Sequence, residues 1–216
     1  MLRWLKRVGA ILLLPSCAGL FHALLRVVSA SGDSSSFWIV FLAGAACWWV
    51  IYLLLPKPMW FYVFGHELTH VLWTWLFWGK VRRFKASAKG GHVIITKTNF
   101  LIALSPYFFP IYAVAVVLVF GLGHALWNWS RYQVWFHLLL GAAYAFHVTL
   151  TWFILQTRQL DITDHGYLFS AVIIWIGNIL VLVFGIPLLT GTVSVTEAAV
   201  WGWNETARIW QMLGNF

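Results

Sequence analysis

Long apolar runs separated by short polar segments dominate the chain. An α-helix needs about 20 residues to cross a hydrocarbon core of about 30 Å, and each of these runs comes close to that length. The runs cover residues 8–28, 37–55, 59–79, 100–121, 133–156 and 166–190. The pattern predicts an all-α integral membrane protein, a multi-pass bundle of about six transmembrane helices.

Two segments depart from this apolar pattern. Residues 80–99 contain six basic side chains, and a Gly90-Gly91 pair there precedes a β-branched run; this combination indicates a small β-hairpin-like loop. Near the end of the chain, Ser194 and Glu197 have the spacing of a helix capping box, and apolar residues then recur at helical spacing. Residues 195–213 are therefore predicted to form an amphipathic helix on the membrane surface. With no long polar stretch, residues 1–216 are predicted to form a single membrane domain.

Composition supports a membrane protein and excludes an ordinary soluble domain. Hydrophobic residues make up 62% of the chain and charged residues 9%, whereas soluble domains have about 25% charged residues. The formal net charge is +8, but the basic residues flank the apolar runs, where they can attract anionic lipid headgroups. We therefore expect membrane lipid, and not nucleic acid, as a partner.

The third apolar run contains a metal-binding motif. It reads MWFYVFGHELTHVLWTWLFWG, with His66, Glu67 and His70 among its few polar residues. Histidines four residues apart share one face of a helix and can bind one Zn²⁺, while the adjacent glutamate can deprotonate a water molecule beside the metal. The alternative is a buried polar cluster that joins helices through hydrogen bonds. Because charged groups at membrane depth are costly, we favour the metal site.

A catalytic zinc ion normally has three protein ligands, so one more is needed. The segment 156–166 supplies Asp161 and Asp164, although either could instead cap the helix that follows. His147 lies within an apolar run and is a further candidate, as a ligand or as a hydrogen-bond donor to the transition state. The alternative for His147 is a core histidine whose hydrogen bonds are satisfied.

Taken together, these motifs resemble the site-2 protease family of intramembrane zinc metalloproteases. The resemblance rests on the HExxH helix, the glycine-bearing loop after it, the proline-broken run at residues 105–110, and the Leu160-Asp161 pair before the last run. The family's usual Leu-Asp-Gly is Leu-Asp-Ile here, and the chain has no PDZ-like domain. It resembles a divergent, compact member of the family.

This resemblance implies specific roles for the motif residues. His66, His70 and Asp161 would bind Zn²⁺ as the cofactor, Glu67 would be the catalytic general base, and residues 59–190 would form the metalloprotease core. The expected substrate is a transmembrane protein or peptide, whose peptide bond is hydrolysed within the membrane. Two alternatives use the same residues: a hydrolase of membrane lipids or prenyl tails, and a non-enzymatic transporter or scaffold with a structural or transported ion.

Overall fold

The structure is a computed structural model that describes the backbone of residues 2–214 and the side chains of residues 4–214. It is mainly helical, with one two-stranded antiparallel sheet. Its elements in chain order are α1 (Leu2–Ala30), α2 (Ser35–Leu54), α3 (Met59–Leu76), β1 (Val81–Ser87), β2 (Gly90–Ile95), α4 (Phe100–Leu104), α5 (Ile111–Trp127), α6 (Gln133–Leu155), α7 (Leu160–Thr163), α8 (Tyr167–Thr190) and α9 (Val195–Gly214).

Contacts divide the chain into two compact units. One contains the chain up to Ser35 together with the chain from Leu160 onward, and the other contains residues 36–159. The first unit includes α1, α7, α8 and α9, and the second includes nearly all of α2 through to α6 with the hairpin.

Within residues 2–214, four helical segments are long and apolar enough to cross a membrane: Trp4–Ala30, Ser35–Leu54, Trp129–Leu155 and Tyr167–Thr190. A fifth span results if Phe100–Tyr107 and Ile111–Trp127 are counted together, although the two pieces are bent by 80°. The helix α3 is not among the candidates, since its His and Glu side chains lower the mean hydropathy of its 18 residues. The prediction of about six spans is therefore not confirmed.

The bend in the fourth predicted span has a local cause. Pro106 lies in a short 3-10 turn and Pro110 precedes the first residue of α5. A proline has no backbone N–H and its ring displaces the preceding turn, so two prolines four residues apart interrupt a helix. The break that the SPYFFP sequence predicts is confirmed.

Glycines bring α2 and α6 into backbone contact within the second unit. A Cβ atom on Gly44 would lie 1.9 Å from the carbonyl oxygen of Leu138, and one on Gly141 would lie 1.9 Å from the carbonyl oxygen of Phe41. Without side chains at these two positions, the helix backbones approach each other directly, as small residues allow in membrane helix pairs.

The predicted hairpin is present and packs on α3. Its strands β1 and β2 pair in antiparallel register up to the Ser87–Gly90 pair. Gly90 has a backbone φ of 134°, a conformation that a residue with a side chain rarely adopts, so a glycine is required at this turn. Both strands contact α3, which places the hairpin against the helix that contains the HExxH motif.

In the first unit, α9 runs antiparallel to α1 along much of its length. As the residue number rises in α9, the contacted residue number falls in α1. Three contacts define this arrangement: Arg26 to Glu205, Gly19 to Thr206 and Ser16 to Trp210. The predicted C-terminal helix is therefore confirmed, and its position on a membrane surface stays a prediction.

The predicted capping box at the start of α9 is also present. The Glu197 backbone N–H donates to the Ser194 hydroxyl oxygen, and the Ser194 backbone N–H donates to the Glu197 carboxylate at 2.9 Å. The Ser194 hydroxyl donates to the same carboxylate at 2.7 Å. These hydrogen bonds favour the ionised form and hold the pKa of Glu197 below its ordinary value.

Candidate metal centre

The helix α3 places the two motif histidines side by side. His66 and His70 are one helical turn apart, and their ring centroids are separated by 5.0 Å. Both imidazoles therefore point toward the same region, as the i, i+4 spacing predicts. Their shared face is the first requirement for binding one ion.

A backbone carbonyl orients the ring of His70. Its Nδ1 atom lies 2.9 Å from the carbonyl oxygen of Ile102 in α4. Since a carbonyl can only accept, Nδ1 must donate, and the lone pair of Nε2 is then available for a metal ion. The side chain of Asn99 caps α4 by accepting from the Ile102 backbone N–H at 2.8 Å, which helps to fix this carbonyl. Ile102 itself is almost completely buried.

Aromatic side chains surround the ring of His66. The ring of Tyr107 lies edge-on at a centroid distance of 5.2 Å, and that of Tyr62 lies at 5.9 Å. Both tyrosines are buried, and Tyr107 belongs to the 3-10 turn at the proline break. The break in the fourth predicted span thus supplies one wall of the histidine site.

Glu67 is buried, with 7% of its surface exposed, and the hairpin lies directly against it. A Cβ atom on Gly91 would be 2.6 Å from the Glu67 Cγ and 2.8 Å from its Oε1. A side chain at position 91 would therefore collide with the carboxylate arm. The glycine lets strand β2 approach the glutamate that the sequence motif predicts to be a general base.

Asp161 is the second residue of the short helix α7 and is half-buried. His66 and His70 belong to the second unit and Asp161 to the first, so Asp161 as the third ligand stays a prediction. Two neutral imidazoles and one carboxylate are donors of the kind that zinc accepts in proteins.

The other two candidate ligands, Asp164 and His147, differ in their exposure. Asp164 is the residue that follows α7, and its side chain is exposed. His147 lies near the middle of α6, with 6% of its surface exposed. The Nε2 atom of His147 has no hydrogen-bond partner among the described residues. No described protein atom satisfies this nitrogen, so the interpretation of His147 as a core histidine with satisfied hydrogen bonds stays a prediction.

A small pocket connects His147 with the motif helix. Its lining includes His66, Thr69, His147, Tyr112 and Phe146, and its volume of about 10 Å³ matches a single water molecule. A much larger apolar groove of about 790 Å³ lies between α5 and α6. Tyr112 and Phe146 line both spaces, and their rings are 5.2 Å apart.

Sequence reasoning missed two contacts that shape the site. One is the hydrogen bond from His70 to Ile102, for which the sequence offers no signal. The other is the contact of Gly91 with Glu67. The pair of glycines was a usable signal, because the turn itself needs positive φ only at Gly90. A second glycine with no conformational reason indicates a close approach by another group.

Comparisons of the chain with protein-family models, with curated proteins and with solved structures give no match.

Proposed function

We propose that this protein is an intramembrane zinc metalloprotease of the site-2 protease type, which hydrolyses a peptide bond in a membrane-embedded substrate. One observation carries the proposal: a buried glutamate follows the first of two histidines that share a helical face. Several helices in the same chain are long and apolar enough to cross a membrane. A water-activating site in such a chain suits hydrolysis within the bilayer.

His66, His70 and Asp161 are the residues that would hold zinc. A zinc ion supplies a Lewis acid that lowers the pKa of water toward 7 and polarises a carbonyl group. The Ile102 carbonyl keeps His70 in the tautomer and orientation that a ligand needs. Neutral imidazoles with one carboxylate form a common type of catalytic zinc site.

Glu67 is the proposed proton carrier. Its carboxylate accepts a proton from the water molecule that attacks the scissile carbonyl carbon, so that a C–O bond forms. Glu67 then gives the proton to the amide nitrogen, the C–N bond breaks, and an amine leaves. The buried position of Glu67 limits exchange of this proton with bulk water.

The hairpin is proposed to hold the substrate in an extended form. A transmembrane helix keeps its carbonyl groups in internal hydrogen bonds, so it must unwind locally before hydrolysis. Strand β2 pairs with β1 along one edge and contacts α3 next to the base. Its other edge is suited to main-chain pairing with an unwound substrate segment.

A second candidate function is hydrolysis of a lipid or of a prenylated chain by the same residues. The apolar groove favours it, because this groove shares Tyr112 and Phe146 with the pocket beside His66. A long hydrocarbon tail could occupy the groove while its polar end lies near the histidines. Testing prenylated and unmodified substrates side by side distinguishes the two functions.

The proposal is tested with purified protein in detergent. Metal content is measured for the wild type, His70→Ala and Glu67→Gln, and each is incubated with single-span peptides, with and without a prenyl group. We expect one zinc per wild-type chain, loss of zinc in His70→Ala, and retention in Glu67→Gln. Hydrolysis by Glu67→Gln should fall about 10²–10⁴-fold, since a general acid–base contributes this much.

Glu197→Gln is the matched control, because Glu197 is exposed at the start of α9. This variant should keep both zinc and hydrolysis. Full hydrolysis by Glu67→Gln would contradict the role of the base. Stoichiometric zinc without hydrolysis of any substrate would instead favour the non-enzymatic scaffold or transporter.

A further inference from the structure

His147 is a buried polar side chain to which the mechanism proposed above assigns no role. It lies near the middle of α6, and its Nε2 atom is shielded from solvent without a hydrogen-bond partner among residues 2–214. Nearly all buried polar groups in proteins are hydrogen-bonded, because an unpaired one loses its interaction with water and gains nothing. The unpaired nitrogen therefore indicates a ligand atom that binds there.

The pocket next to His147 limits what this ligand can be. With a volume of about 10 Å³, the pocket holds one atom of the size of an oxygen, and it is lined by His66 as well as by His147. In the tautomer that carries the proton on Nε2, this nitrogen donates, and the matching atom is a hydrogen-bond acceptor. A single oxygen beside the metal-binding histidines meets both conditions.

Peptide hydrolysis produces such an oxygen. When water adds to the scissile carbonyl carbon, a C–O bond forms and the π electron pair moves onto the carbonyl oxygen, which becomes negative. Glu67 then protonates the nitrogen. The electron pair on the oxygen re-forms the C=O double bond, the C–N bond breaks and the amine leaves. A donor fixed next to that oxygen stabilises the charge only while it exists, which lowers the barrier.

We propose that His147 is a catalytic residue that donates a hydrogen bond from Nε2 to the substrate carbonyl oxygen as negative charge develops on it. This inference rests on the proposed function. His147 keeps its proton throughout and is distinct from the general base Glu67.

Two pseudopeptides of identical sequence test the inference through binding. A phosphinic pseudopeptide carries tetrahedral phosphorus and an anionic oxygen at the scissile position, whereas a reduced-amide pseudopeptide has CH₂–NH and no oxygen there. Their affinities are measured for zinc-loaded wild type, His147→Ala, His147→Gln and His137→Ala. His137 is the matched control, because it is also a buried imidazole on α6, but its ring lies against Phe37.

We expect His147→Ala to weaken binding of the phosphinic compound about 10–100-fold and to leave the affinity for the reduced amide unchanged. His147→Gln keeps an N–H donor and should recover much of the loss, while His137→Ala should bind both compounds like the wild type. For a peptide that is cleaved, His147→Ala should lower kcat about 10²–10³-fold with little change in KM, the usual effect of removing one such donor. Zinc content, measured for every variant, reports whether the site has folded.

Other outcomes separate this inference from the proposed function. If the wild type cleaves peptides and His147→Ala binds the phosphinic compound normally, the inference is overturned and the protease function stands. A lower melting temperature of His147→Ala with unchanged binding would show that the histidine holds a structural water molecule only, and it also overturns the inference. If zinc-loaded wild type binds neither pseudopeptide and cleaves nothing, both proposals fail.

Discussion

Two of the close approaches that glycines allow within residues 36–159 have different consequences. In the α2–α6 contact, Gly44 and Gly141 each face a backbone carbonyl of the opposite helix. In the contact of the hairpin with α3, Gly91 faces the side chain of Glu67. One contact joins two rigid helix backbones, and the other joins a strand to a single carboxylate arm.

This difference predicts which property each glycine controls. A helix backbone cannot yield locally, so a side chain at Gly141 must separate two whole helices. A glutamate side chain can rotate away, so a side chain at Gly91 changes where the carboxylate lies. Its Cβ would also lie 2.7 Å from the backbone carbonyl oxygen of Lys85 in β1, which adds strain within the hairpin. The helix contact should therefore determine stability, and the hairpin contact should determine activity.

The largest effect is expected for Gly141→Ala. Its Cβ would lie 1.9 Å from the Phe41 carbonyl oxygen, so the helices must move apart. Overpacking of this kind costs about 3 kcal/mol, which exceeds the roughly 1 kcal/mol that alanine contributes through helix propensity. Unfolding in a graded detergent or thermal series should show this loss of stability. The larger substitution Gly141→Leu should yield no folded protein.

Gly121→Ala in α5 is the matched control for this prediction. A Cβ there has no atom within 4 Å, so only the helix propensity changes. This variant should be as stable as the wild type, or more stable by up to about 1 kcal/mol. Equal destabilisation by both substitutions would contradict the assignment of the α2–α6 contact.

The hairpin contact is probed by Gly91→Ala. Its Cβ would displace the Glu67 carboxylate, and a displacement of about 1 Å of a catalytic group can lower turnover about 10²-fold. Zinc content should stay at the wild-type level, because the atoms nearest to a Cβ at position 91 belong to Glu67 and Lys85 and not to the histidines. The measurements are peptide hydrolysis, bound zinc and thermal stability of the same preparations.

Gly90→Ala distinguishes displacement of Glu67 from disruption of the hairpin. The φ of 134° makes a side chain at position 90 strained, yet a Cβ there meets no atom within 4 Å. This variant should be destabilised, as Gly91→Ala is, but should lose less turnover. If the two variants lose the same turnover, hairpin integrity, and not the position of Glu67, would explain the result.

The smallest effect is expected for the hydrogen bond that supplements the α2–α6 contact. The Trp48 indole N–H donates to the Thr149 hydroxyl oxygen at 2.8 Å. Thr149→Val keeps the shape and removes the acceptor, which should cost about 0.6–1.7 kcal/mol, the range found between membrane helices. Thr157→Val, at an exposed site after α6, should leave unfolding unchanged. If Thr149→Val lost as much stability as Gly141→Ala, the dominant role of the glycines in this contact would be refuted.

Features that depend on residues close in the chain could be predicted from the sequence. The shared face of His66 and His70 follows from helical geometry, and the Ser194–Glu197 capping box follows from spacing. The pair of prolines predicted the break before α5, and the Gly90-Gly91 pair predicted the hairpin. The number of spans was harder to predict, because α3 is both short and partly polar.

The sequence by itself thus determined the elements and the chemistry of α3, since these depend on periodicity and on the side chains of one helical turn. Only the tertiary structure decided that the Ile102 carbonyl orients His70, that Gly91 lies against Glu67 and that His147 shares a pocket with His66. Each of these contacts joins segments far apart in the chain. Their distances depend on how helices and strands pack, which no local pattern of residues encodes.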